Sequence, residues 1–171
     1  MTFTRRQARE WAIQLLASAD LNPTDDLSAF LEDFWSQVKS LDPEDGGTSG
    51  EEVGRKTKLF AEERFKGVME NCEELDGTIE PYLENWQLYR LGTVERAVLR
   101  LGTWELLKTD IPAPVVINEA VDLVNWYASP KSRMIVNGVL DKIAKQLGPE
   151  RGERIAAADA KNRKKGREPK A

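Results

Sequence analysis

The sequence predicts an all-α protein, a compact bundle of about seven helices, and three observations carry that reading. Apolar residues recur at helical spacing along most of the chain, no segment shows the alternation of a strand, and proline or glycine breaks separate the periodic stretches. No repeat at solenoid periods is present. At 171 residues, 40% apolar and 32% charged, the chain suits one ordinary globular domain with room for a sizeable core.

The elements follow in order. Thr4 can cap a first helix carrying Ala8, Trp11, Ala12, Leu15 and Ala19 on one face, with Asn22-Pro23 as its stop. A second begins after Asp25 or Asp26, places Leu27, Phe30, Leu31, Phe34 and Val38 on a stripe, and closes at Leu41-Asp42-Pro43. Residues 40–54 hold four glycines, a proline and five carboxylates, which predicts an exposed, mobile connection without chemistry. A third helix is expected over 55–74, with Ala61, Phe65, Val68 and Cys72 inward, Cys72 as a small buried hydrophobe.

A short helix over 78–86 is expected next, with Pro81 in its first turn and Tyr82, Leu83 and Trp86 as anchors. Over 93–108, Val94, Ala97, Val98, Leu101 and Trp104 form one stripe while Leu99 and Leu106 occupy another side, so this helix should be central. Pro114 then suits the first turn of a helix with Ile117, Ala120, Val121 and Val124 inward. After Ala128-Ser129-Pro130 the last helix carries Val136, Val139, Leu140, Ile143 and Leu147 to a stop at Gly148-Pro149. The expected organisation is one helical domain over 1–148 and a basic, disordered tail over 149–171, where only Ile155 is a large aliphatic residue.

Composition removes several classes of function. With no histidine and a single cysteine, the chain lacks the residues of an ordinary zinc site, a histidine-dependent triad or an internal disulfide. No stretch matches a phosphate-cradling G-x-x-x-x-G-K-[ST] loop, including Gly46-Gly47-Thr48-Ser49-Gly50. Carboxylate pairs such as Glu51-Glu52 and Glu73-Glu74 lie in polar stretches that offer nothing to raise a pKa. The expectation is a protein with no metal, no cofactor and no catalytic residue. It is also expected to be cytoplasmic, since no apolar run is long enough for a membrane span and the N-terminus lacks the apolar core of a secretory signal.

Charge localises the one candidate site. Residues 1–148 hold 17 Lys and Arg against 25 Asp and Glu, and residues 149–171 hold 8 against 4, an acidic body with a basic tail. A polyanion ligand therefore needs a local cationic surface. The first helix supplies one: Arg5, Arg6 and Arg9 span about a 100° arc at 3.6 residues per turn. Cations in a first turn oppose the helix dipole, a liability that a bound anion reverses. Arginine can grip phosphate bidentately and stack on unpaired bases. The alternative is that Arg6 pairs with Glu10 and the others are solvated.

Four blocks extend the pattern: Arg5-Arg6-Gln7-Ala8-Arg9 running on to Gln14-Leu15-Leu16, then 94–106 (VERAVLRLGTWEL), 116–123 (VINEAVDL) and 136–142 (VNGVLDK). In order and spacing they resemble the bacterial NusB family of transcription antitermination factors across roughly residues 4–147. The resemblance implies two small helical subbundles with the arginine-rich first helix exposed. It also implies binding of boxA-type single-stranded RNA from ribosomal RNA leaders, together with the small-subunit ribosomal protein NusE, in support of the transcription elongation complex.

By position, Arg5, Arg6 and Arg9 match the family's RNA-contact motif, and Lys131, Ser132 and Arg133 fall in a second segment that approaches RNA. Tyr82, Glu95 and Arg96 would lie toward the protein partner. Asn118 and Asn137, polar residues in apolar helices, would have partnered structural roles. The chain departs from the family where Leu16 replaces a frequent aromatic residue, in the long acidic 40–54 segment, and in the extension after Pro149. Two other readings belong beside this one: a helical protein-interaction module without RNA binding, and the NusB-like front domain of a ribosomal RNA methyltransferase.

Overall fold

The computed structural model describes residues 4–40, 54–148 and 151. Among these there are seven α-helices and two 3₁₀ turns, with no strand. The helices are α1 (Arg5–Leu21), α2 (Leu27–Ser40), α3 (Arg55–Glu70), α4 (Cys72–Ile79), α5 (Thr93–Lys108), α6 (Ala113–Tyr127) and α7 (Pro130–Gln146). No helix in the described residues is long and apolar enough to cross a membrane. The chain divides into two compact units, residues 1–72 and 73–171. Most of the expected acidic connection and of the tail lies outside the described residues.

Unit 1 is the bundle of α1, α2 and α3. Thr4 caps α1 by accepting the Gln7 N–H at 3.2 Å, and Asp26 caps α2 by accepting from Ala29 at 3.0 Å. Ala8, Ala12, Leu15 and Ala19 are buried along α1 as the periodicity requires. An aromatic core completes the packing: Phe30 stacks on Phe65 at 5.4 Å between centroids, and Trp11 meets Phe34 at 6.2 Å and Trp35 at 5.5 Å. Trp35, which the stripe on α2 did not include, is buried and donates its indole N–H to Glu62 at 2.8 Å.

These contacts set the helix directions. From Phe30 to Trp35 along α2, the partners on α3 step back from Phe65 to Glu62, so α2 and α3 run antiparallel. A five-residue connection, 22–26, turns α1 back against α2. Helices α1 and α3 therefore run parallel, with their N-termini at the same end of the unit.

The helix expected over 55–74 ends early. Asn71 donates its side-chain amide to the Gly67 carbonyl at 2.7 Å and takes φ −118°, ψ 19°, which breaks the helix into α3 and α4. Cys72, at the break, is half-buried. The helix expected over 78–86 is replaced by the end of α4 and the 3₁₀ turn Glu80–Tyr82, closed by the Leu83 N–H on the Glu80 carbonyl at 3.1 Å. Leu83 is buried, but Trp86, expected as an anchor, is 38% exposed.

Unit 2 is organised around α5, whose residues 97–99 and 101–106 are all buried. Arg100 holds α4 with a bidentate bond to Asp76, Nε–Oδ1 2.7 Å and Nη2–Oδ2 2.8 Å. Helices α6 and α7 pack on α5 and on each other. At Gly102 a Cβ would lie 2.8 Å from Leu140 Cδ1, so glycine permits the close approach of α7. On α6 the inward residues are Val116, Ala120, Leu123 and Val124, not Ile117 and Val121, which are half-buried. Val115, Val116 and Ile117 are consecutive and apolar, so their pattern leaves the helical phase open. Asn118 and Asn137 are exposed rather than enclosed. Past α7, Arg151 is buried and donates to the carbonyls of Leu106, Thr109 and Ile111, around the C-terminus of α5.

Candidate nucleic-acid interface

The N-terminal end of unit 1 carries the first cluster. Arg5 and Arg6 are exposed in the first turn of α1, which contains no acidic residue. Arg9 is not exposed with them. It is only 3% accessible, and its guanidinium lies 5.5 Å from the Phe60 ring, over which Arg64 also sits at 3.4 Å. The expected arc of three surface arginines is therefore two surface arginines and one packed beneath them. The signal was available: Arg9 precedes the buried Ile13 and Leu16 by four and seven residues, which puts it on their stripe.

Two cations that sequence reasoning missed stand at the same end. Arg55 and Lys56 are exposed in the first turn of α3, again without an acidic residue, and Gly54 supplies no side-chain cap. Because α1 and α3 run parallel, both first turns without an acidic residue lie together. The topology, rather than any local motif, gathers them.

The second cluster lies in unit 2, where α6 turns into α7. Ser129 caps α7, accepting from the Ser132 N–H at 3.3 Å. Lys131 and Arg133 are exposed; the Lys131 ammonium sits 4.4 Å from the Trp86 ring, and Arg133 donates to Asn125 at 3.4 Å. Ser132 turns the other way. It is buried and donates its hydroxyl to Glu95 at 2.7 Å, because it precedes the inward Val136 by one turn. Arg5, Arg6 and Arg9 thus belong to one unit and Lys131, Ser132 and Arg133 to the other.

Among the residues expected toward a protein partner, Glu95 is the acceptor for Ser132, and Gly92 leaves it room: a Cβ there would lie 2.2 Å from Glu95 Oε2. Arg96 donates to the carbonyls of Tyr89 at 3.1 Å and Leu91 at 2.5 Å, fixing the approach to α5. Tyr82 lines a cleft of about 290 Å³ with Trp86, Met134 and Lys142. At the cleft's edge Lys142 reaches Glu84 at 2.5 Å, and this hydrogen bond and charge hold the Glu84 carboxyl below the ordinary range. The structure joins Glu95 to the second cationic segment through Ser132, and the Tyr82 cleft to it through Trp86, the ring that carries Lys131.

Two helical units that expose Arg5, Arg6, Lys131 and Arg133 define, in class, an all-helical protein with local cationic surfaces. The NusB family profile matches residues 6–145, and the chain belongs to that family. It is 42% identical to the transcription antitermination protein NusB of Anaeromyxobacter dehalogenans, over 90% of this chain and 100% of the relative. The NusB of a Nitratiruptor species is 40% identical over 84% and 94%. Among solved structures, T. maritima NusB superposes with a TM-score of 0.71 at 36% identity, covering 90% of this chain and 99% of that one. A structure of antitermination factors NusB and NusE with double-stranded RNA gives a TM-score of 0.63 at 32% identity, over 83% and 96%. The chain is accordingly a transcription antitermination factor and not an enzyme.

Proposed function

We propose that this factor binds boxA-type single-stranded RNA of ribosomal RNA leaders jointly with the small-subunit ribosomal protein NusE, and that in the cytoplasm the complex supports RNA polymerase elongation through ribosomal RNA genes. The observation that carries the reading is the exposed Arg5 and Arg6 pair in an acid-free helix start, on a family member whose overall charge is −4. Such an end is stabilised by a bound phosphate backbone. Arg5, Arg6, Lys131 and Arg133 make the direct contacts. Arg9 and Ser132 act as positioning residues, the first by bracing the base of α1 against Phe60, the second by fixing the start of α7 on Glu95. Tyr82, Glu95 and Arg96 face the ribosomal partner.

Filter binding with a boxA-like RNA, with NusE, and with both together tests this. Four neutralised phosphates give a log–log salt slope of about −2.8, at roughly −0.7 per contact for single strands. NusE should raise RNA affinity beyond simple additivity. A flat salt response removes the phosphate contacts. No RNA binding, alone or with NusE, favours the protein-interaction module.

A further inference from the structure

We infer that Trp126 is a base-stacking residue, a platform at the end of α6 on which one unpaired base of the RNA lies while its flanking phosphates reach Lys131 and Arg133. The inference rests on the RNA reading above and adds a contact that recognises bases instead of backbone.

Trp126 is 78% exposed and its neighbour Tyr127 is 52% exposed. The packing of α6 does not use the indole, since the inward residues are Val116, Ala120, Leu123 and Val124. Steps of about 100° put Trp126 on the side of Val115, Glu119 and Asp122 instead. A large ring left in water at a helix end, with no Val, Leu, Ile or Met in the adjoining segment 125–133, has the chemistry of a nucleobase platform. Asn125, Ser129, Lys131 and Arg133, its exposed neighbours in sequence, make the segment polar and cationic.

One cation is tied to this helix end. Arg133 donates to Asn125, the residue next to Trp126, at 3.4 Å, which ties the first turn of α7 to the last turn of α6. The cationic groups lie on the α7 side of the ring, since Lys131 and Arg133 are exposed in the first turn of α7. Because every base has a π-face, the contact adds affinity with little sequence preference.

The test uses the full chain and its Trp126→Ala and Trp126→Phe variants. Each is titrated with a boxA-like single-stranded RNA, with an abasic oligomer of the same phosphate count, and with NusE. Trp126→Ala should weaken RNA binding by about 5- to 150-fold, the range of one aromatic–base stack. Trp126→Phe should keep most of the affinity. Abasic-oligomer binding, the salt slope and the thermal melt should stay unchanged. Equal RNA affinity in wild type and Trp126→Ala overturns the inference, as does an equal loss on the abasic oligomer. Loss of NusE binding with RNA binding intact assigns the ring to the protein partner and overturns it too. Wild type that binds no RNA overturns the underlying RNA reading first, and that result is distinct from the other three.

Discussion

Arg9 and Ser132 show how one side chain can satisfy a motif and still face the wrong way for it. Both fall on inward stripes one turn ahead of buried aliphatic residues, and both are buried, at 3% and 8% accessibility. Removing Arg9 should therefore cost stability where removing Arg5 does not. The Arg9 guanidinium packs on Phe60 and its stem fills the α1–α3 contact, so Arg9→Ala should destabilise by about 1–2 kcal/mol. In a thermal melt that is about 2–8 °C, at roughly 2–4 °C per kcal/mol. Arg5→Ala should melt with wild type, and equal melts for the two variants would deny Arg9 its packing role. The arginine motif was legible because charge is a composition signal. Its depth was not, because a long amphipathic side chain can follow either the polar or the apolar face.

At the scale of elements, α1, α5 and α7 were legible because caps and breaks bound them: Thr4 and Asn22-Pro23 around α1, Gly92 ahead of α5, Ser129-Pro130 ahead of α7. Periodicity failed where a local hydrogen bond competed, at Asn71, and where apolar residues ran together, at 115–117. Close helix contact was equally hidden, since it depends on what faces a glycine. Gly102 and Gly138 are both helical, yet a Cβ on the first meets Leu140 and a Cβ on the second meets nothing within 4 Å. Gly102→Ala should thus overpack the α5–α7 contact and cost about 1–3 kcal/mol, while Gly138→Ala should stabilise by roughly 0.5–1 kcal/mol through helix propensity. Denaturant melts of the two variants check the pair, and shifts of the same sign would refute this account of the contact.

The whole molecule distributes its candidate contacts over two compact units, a division that the sequence stripes do not reveal because a stripe shows that a helix is covered and not by which helix. Arg5 and Arg6 lie in one unit, Lys131 and Arg133 in the other. Independent sites lose binding free energy additively. If one strand engages both units, replacing either pair by alanine should flatten the salt slope by about 1.4, and replacing all four by about 2.8. A full loss from one pair alone, with no effect from the other, would confine the RNA to a single unit. Within unit 2, the Ser132–Glu95 hydrogen bond links the start of α7 to the start of α5. A ligand that shifts either turn changes the free energy of the other, and linkage makes the exchange reciprocal. Whatever RNA bound beside α7 does for the affinity of a protein bound beside α5, that protein must do, by the same factor, for the RNA.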